Sequence, residues 1–158
     1  MILRDETAVD AAPIGDLVTA AFLNAPHRSG TEALIVTRLR AAGGLLLSLV
    51  AEEEGRLLGH VAASPASLEG AAGWACIAPL SVLPGRQGQG IGTALMQAAL
   101  QRLRAQGHDG VVLVGDPAYY ARFGLKAWPR LVADGLPPEV VLSLPLRHGA
   151  ALRGGFGF

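Results

Sequence analysis

The stretch Leu80-Ser81-Val82-Leu83-Pro84-Gly85-Arg86-Gln87-Gly88-Gln89-Gly90-Ile91-Gly92-Thr93-Ala94-Leu95-Met96 decides how the rest of the chain reads. An apolar, strand-like run stops at Pro84-Gly85 and crosses a loop with alternating glycines. It then enters a segment whose apolar residues Leu95, Ala99 and Leu103 recur at helical spacing before Gly107. A strand here delivers a helix N-terminus. The first amides of a helix have no partner within it, and the aligned peptide dipoles add partial positive charge at that end. Gly88, Gly90 and Gly92 remove side chains that would screen those amides, so a phosphate or pyrophosphate can sit directly on main-chain donors. The Thr93 hydroxyl adds a donor. Arg86 stands where it reaches either a phosphate or plain solvent.

Spacing narrows the kind of anion site. A nucleoside-triphosphate loop needs glycine, four residues, then Gly-Lys-Ser/Thr, and the only lysine of the chain is Lys126. A dinucleotide fold wants Gly-x-Gly-x-x-Gly after the first strand, whereas these glycines fall in mid-chain.

Outward from the loop, Met1 to Arg4 reads as a first strand. Asp10 is expected to cap a helix whose stripe is Ile14, Leu17, Val18, Ala21 and Phe22, with Pro13 in its first turn. Asn24 to Gly30 reads as a connection, and Thr31 caps a second helix carrying Leu34, Ile35 and Leu39 and ended by Gly43-Gly44. Leu45 to Ala51 and Arg56 to Ser64 form a hairpin with the acidic tip Glu52-Glu53-Glu54-Gly55. After a loop around Gly70 to Gly73, Trp74 to Leu83 is a strand in which Pro79 marks a bulge, an edge or the parting of neighbours. Val111 to Val114 is a buried strand. Asp116 and Pro117 open a short helix that ends at Gly124, and Lys126 to Leu146 holds two strands around Asp134-Gly135-Leu136-Pro137-Pro138. The order predicts an α/β (α+β) fold, a mixed and largely antiparallel sheet with flanking helices. Residues 1–147 are expected to form a single domain, followed by a Gly-rich tail, 148–158, loosely held or docked by its phenylalanines.

The pattern Gln87-x-x-Gly90-x-Gly92 between strand and helix resembles the acetyl-CoA loop of the GNAT superfamily of N-acetyltransferases. The resemblance extends over Gly59-His60-Val61, Ala78-Pro79-Leu80-Ser81-Val82 and Gly115-Asp116-Pro117-Ala118-Tyr119-Tyr120-Ala121-Arg122-Phe123-Gly124, which together look like its bacterial YhbS-like branch. It implies the acyl-CoA N-acyltransferase fold and acetyl-CoA as cosubstrate. The cofactor would lie on Arg86, Gln87, Gly88, Gly90, Ile91, Gly92 and Thr93, and its pantetheine arm would pair with main-chain groups of Val82 and Leu83. The activity implied is acetyl transfer to a primary amine by direct attack in a ternary complex. A non-catalytic acyl-CoA sensor is the alternative.

Such a reaction needs a proton for the departing thiolate and a neutral amine. A phenol of ordinary pKa about 10 is a suitable donor. Tyr120, four residues before Gly124, resembles the family's acid. Neighbouring helical residues point about 100° apart, so Tyr119 and Tyr120 cannot both face one cleft. For the base, the strand before the loop offers no carboxylate. His60, Glu52, Glu53 and an ordered water are the candidates, each side chain having an ordinary reading as a strand histidine or a solvated hairpin tip. Cys76 reads as packing, because no adjacent base is evident to activate it for a ping-pong mechanism. His27, His108 and His148 show no metal-ligand spacing, so no metal is expected.

Acidic and basic residues balance at 13 each, which supplies no overall attraction for nucleic acid or anionic lipid. With one cysteine, no signal-peptide pattern and no apolar run of membrane-spanning length, a cytoplasmic protein is expected. Heavy use of Ala, Gly, Leu and Arg points to a GC-rich bacterial genome. The resemblance implies a small-molecule or peptide amine as partner and allows a homodimer.

Overall fold

A computed structural model describes residues 1–23, 32–68, 73–127, 136–147 and 156–157. The predicted 24–30 connection, the Thr31 cap, most of the 70–73 loop, Asp134-Gly135 and nearly all of the tail lie outside the described residues. The elements are β1 (Ile2–Asp5), α1 (Ala11–Phe22), α2 (Glu32–Ala41), β2 (Leu47–Glu53), β3 (Arg56–Pro65), β4 (Ser67–Leu68) and β5 (Trp74–Val82). They continue with α3 (Ile91–Ala105), β6 (Gly110–Val114), α4 (Pro117–Tyr120), β7 (Lys126–Ala127), β8 (Val141–Pro145) and β9 (Phe156–Gly157). Seven strands pair in the order β1-β2-β3-β5-β6-β8-β7, and β4 pairs with β9. The expected α/β class with a largely antiparallel sheet is therefore observed. The chain forms two compact units, Met1–Ser64 with Ala78–Leu100 and Pro65–Ile77 with Gln101–Phe158.

In the first unit, β1-β2-β3 is an antiparallel meander. Ile14 and Val18 of α1, Val36 of α2 and Val50 of β2 form a buried cluster joined by Phe22, Ala33 and Leu57. Each of the four fully buried Ile and Val side chains contributes about 1.5–3 kcal/mol by leaving water. The α1 stripe is as expected at Ile14, Leu17 and Val18. The α2 stripe is not: Val36 is its buried residue, while Leu34 and Ile35 are 44% and 45% exposed. Gly43, at φ +69°, closes α2, and the Gly44 amide bonds the Leu39 carbonyl.

Asp10 does not cap α1 with its side chain. Its carboxylate instead accepts from the Thr7 amide at 2.7 Å and hydroxyl at 3.1 Å, and from Arg4 at 2.7 Å, fastening a 3₁₀ turn at Ala8–Asp10 to β1. These donors hold its pKa well below the usual carboxylate range despite burial. The hairpin turn is shorter than predicted. Glu54 (φ +51°) and Gly55 (φ +77°) make it, and Glu52 and Glu53 remain in β2.

In the second unit, β6 pairs antiparallel with β8 through all five of its residues and parallel with β5 only from Trp74 to Cys76. β5 runs on through Pro79 without a break to Val82, so what stops before Pro79 is the pairing and not the strand. The indole of Trp74 lies over Gly110, where a Cβ would stand 2.3 Å from the ring. The tail, read as poor in strand signal, contributes β9, whose Phe156–Gly157 backbone pairs with β4.

Candidate active site

The loop that opens α3 is built by its own sequence. Pro84 and Gly85 (φ +89°) form a turn in which the Arg86 amide bonds the Leu83 carbonyl at 2.9 Å. Gly88 and Gly90 adopt φ +76° and +85°, which other residues enter only under strain, and a Cβ at either would meet nothing within 4 Å. The Gly90 carbonyl accepts the first helical bond, from the Ala94 amide at 3.0 Å. Among the described residues, Gln87 and Gly88 form a hydrogen-bonded turn, and the amides of Gln87, Gly88 and Gly90 to Thr93 make no backbone hydrogen bond. The loop therefore has the unpaired donors and open approach that a diphosphate needs.

Polar side chains of the loop bond to the scaffold and to one another. The Arg86 guanidinium donates to Gln89 Oε1 at 2.9 Å and to Glu53 Oε2 at 3.0 Å, which draws the Glu53 pKa down. Gln87 Nε2 donates to the Val82 carbonyl at 3.3 Å. The Leu83 amide is bonded to the Leu58 carbonyl of β3 at 2.8 Å, and its own carbonyl is taken by the turn. Successive main-chain groups of a strand point to opposite edges, so Val82 directs its groups away from β3. The Leu83 amide is thus committed to β3, while the Leu83 and Val82 carbonyls each accept one bond and keep a second lone pair.

The short helix in the second unit follows its sequence closely. Asp116 Oδ1 accepts from the Ala118 amide at 3.0 Å, Pro117 occupies the first turn, and Gly124 (φ +89°) closes the 3₁₀ turn Ala121–Phe123. The two tyrosine rings stand edge to face, 4.9 Å apart. Arg122 covers the Tyr119 ring at 4.3 Å and donates to the Tyr119 carbonyl. Tyr120 packs over Gly115, where an added Cβ would lie 2.3 Å from ring atom Cε2. Burial, with a smaller contribution from Tyr119, pushes the Tyr120 pKa up to about 12, so its phenol keeps its proton at neutral pH.

The candidate bases are all engaged. Glu52 accepts from Arg4 at 2.6 Å, and Glu53 is held by Arg86. His60 is 0% exposed, and burial brings its pKa down to about 4. Its Nε2 lies 2.8 Å from Ser48 Oγ, and Ser48 in turn bonds Glu6, which Arg40 grips at 2.6 and 2.9 Å. Burial works against ionisation of Glu6, but the bonds from Arg40 and Ser48 outweigh it and lower its pKa. Cys76 is buried, and its thiol is pushed up to about 12. Among the described residues no three His, Cys, Asp or Glu side chains gather as a metal-binding group, and no helix is long and apolar enough to cross a membrane.

Sequence reading missed Glu53 as the partner of Arg86, Gly115 as the seat of Tyr120, and the Ser48–Glu6–Arg40 attachment of His60. The partners of the first and third lie 33 and 12 to 42 residues apart in the chain. The glycine immediately before Asp116-Pro117 was the one local signal.

The fold, with its strand, glycine loop and helix, is that of a GNAT-type domain: the acetyltransferase (GNAT) family model matches residues 14–125, and the chain belongs to that family. Among its relatives is the uncharacterized N-acetyltransferase YhbS of Escherichia coli K12, 39% identical over 128 residues, which are 80% of this chain and 74% of the relative. A GNAT family acetyltransferase from Brucella melitensis, solved in complex with acetyl-CoA, superposes with a TM-score of 0.87 at 41% identity, covering 99% of this chain and 94% of that one. The E. coli YhbS crystal structure in complex with CoA gives a TM-score of 0.89 at 32% identity, covering 99% and 88%. The resemblance to the YhbS-like branch stands.

Proposed function

We propose that this chain is an acetyl-CoA-dependent N-acetyltransferase that acetylates a primary amine by direct attack in a ternary complex. The observation that carries the reading is the set of amides from Gly90 to Thr93, without backbone partners, at the mouth of α3 behind the open Gly88 and Gly90 turns. The acetyl-CoA and CoA bound by the Brucella and E. coli relatives support it. In this reading the loop amides hold the diphosphate and Val82 pairs with the pantetheine arm. Acetyl-CoA supplies the activated acyl group: the amine nitrogen bonds the carbonyl carbon, the C–S bond breaks, and sulfur leaves as a thiolate. Tyr120 hands that sulfur its phenolic proton and is reprotonated from solvent. With Glu52 and Glu53 in ion pairs and His60 sealed, the surplus amine proton passes to water.

The engaged carboxylates favour one second reading, a non-catalytic acyl-CoA sensor. Isotope-labelled acetyl-CoA incubated with a panel of small amines and peptide N-termini, followed by mass spectrometry, separates the two. An enzyme yields labelled product, and Tyr120→Phe lowers turnover by about 10²-fold with acetyl-CoA affinity little changed. Tight binding with no labelled amine across the panel would leave the sensor.

A further inference from the structure

Two buried polar atoms in the first unit have no hydrogen-bond partner, Nδ1 of His60 and Oγ of Ser81. An unsatisfied buried donor or acceptor costs on the order of 1–3 kcal/mol, and native proteins contain few of them. Strand register brings the two residues together. The Leu83 amide bonds the Leu58 carbonyl and the Ala66 amide bonds the Trp74 carbonyl, so β3 and β5 run antiparallel with a one-residue shift between those two bonds. Counted from the Leu58 end, where a Gly59 Cβ would lie 3.1 Å from the Ser81 carbonyl oxygen, His60 comes opposite Ser81. Side chains at opposed positions project from the same face, with Cβ atoms about 4.5–5.5 Å apart.

The rest of the network fixes the direction of each proton. Arg40 keeps Glu6 ionised, and a carboxylate only accepts, so the Ser48 hydroxyl spends its hydrogen on Glu6. The ring nitrogen 2.8 Å from Ser48 Oγ must then be the donor. His60 is thus the neutral Nε2–H tautomer, and its Nδ1 presents a lone pair on the side of a serine hydroxyl that has nothing to donate to.

We propose that Ser81 donates its hydroxyl hydrogen to His60 Nδ1, completing a relay Ser81–His60–Ser48–Glu6–Arg40 from β5 across β3 and β2 to α2, and that this relay positions the Val82 main chain for the cofactor. Ser81 and His60 are positioning residues. Rotation about the Ser81 Cα–Cβ bond makes the contact. Ser81 directly precedes Val82, so anchoring its side chain on one face of the sheet fixes the peptide whose groups point away from β3. This inference rests on the acetyl-CoA reading for the role of Val82 and on hydrogen-bond chemistry alone for the relay.

The test uses the full chain, labelled with ¹⁵N, and the variants Ser81→Ala and Ser81→Thr. Long-range ¹H–¹⁵N spectra should show His60 as the Nε2–H tautomer with Nδ1 in a hydrogen bond. Ser81→Ala should move Nδ1 to the position of an unbonded ring nitrogen, and Ser81→Thr, which keeps the hydroxyl, should restore it. By calorimetry, Ser81→Ala should weaken CoA binding about five- to tenfold, the worth of one hydrogen bond, and Ser81→Thr should recover it. A proton on Nδ1 in the wild type, or an Nδ1 signal unmoved by Ser81→Ala, overturns the relay. A moved signal with unchanged CoA affinity overturns the positioning role. Wild-type protein that binds no CoA defeats the acetyl-CoA reading instead, and the spectra still decide the relay. If Ser81→Ala does not fold, the wild-type tautomer and Ser81→Thr carry the decision.

Discussion

Glycine serves two opposite purposes in this molecule. At Gly88 and Gly90 the space around a would-be Cβ is open, and the residue is there for its positive φ and for the bare amides that follow. At Gly115 the backbone is ordinary and the space is full, because the Tyr120 ring occupies it. One region works through its main chain, the other through a side chain that glycine lets in. The difference teaches that the two halves of the proposed chemistry are separable by substitution: damage at the loop should appear in cofactor binding, damage at Gly115 in turnover.

The largest effect is expected at Gly115. Gly115→Ala must displace the Tyr120 ring, and a misplacement of about 1 Å costs on the order of 10²-fold in rate. Turnover in Gly115→Ala should therefore approach that of Tyr120→Phe, and the double variant should be no worse than Tyr120→Phe alone, since both act through one group. Additive losses would break the comparison by showing that Gly115 acts otherwise.

Next is acid. The scaffold behind the loop contains His60, whose pKa is about 4 in the native chain against an ordinary 6.5. Between those values the unfolded chain binds a proton that the native one refuses, so stability is full above pH 6.5 and falls as pH drops toward 4, by about 2 kcal/mol. Urea midpoints at pH 7 and pH 4.5 should differ accordingly in the wild type and less in His60→Gln. Glu6, with its lowered pKa, adds a further loss beginning below its ordinary value of 4.5, and that loss persists in His60→Gln.

Third, Gly90→Ala forces a methyl-bearing residue to φ +85°, a strain of roughly 1–2 kcal/mol, and should weaken CoA binding about tenfold while turnover at saturating acetyl-CoA is retained. Smallest is Glu53→Gln. The half-exposed pair with Arg86 is screened by solvent, and its loss removes a negative charge from the loop's flank, so CoA affinity should rise about two- to threefold at low salt and converge with the wild type at high salt.

Legibility in the sequence follows the range of the interactions. The loop, the stripe of α3 and the Asp116 cap are built from residues within a few positions of one another, and each stands as read. The second helix does not. Leu34, Ile35 and Leu39 fit a helical stripe, yet Val36 is the buried residue, because its face was chosen by α1 and Val50 and not by its own periodicity. Asp10 sits where a cap belongs, but Arg4 offers it two charged donors at 2.7 and 3.1 Å, a better bargain than helix amides. Glu52 and Glu53 look like a solvated tip until Arg4 and Arg86 arrive from elsewhere in the chain to keep them in the strand. The surroundings of the candidate base His60 were the least legible feature, since its burial and its bond to Ser48 come from residues distant in the chain that no local motif announces.

The chain's lone sulfhydryl has a practical consequence. Cys76 is 6% exposed and holds its proton to a pH of about 12, so a thiol-specific dye added to native protein finds almost no target on the polypeptide. If the proposed acetyl transfer takes place, colour that develops over time in such a mixture counts coenzyme set free, against a nearly blank background.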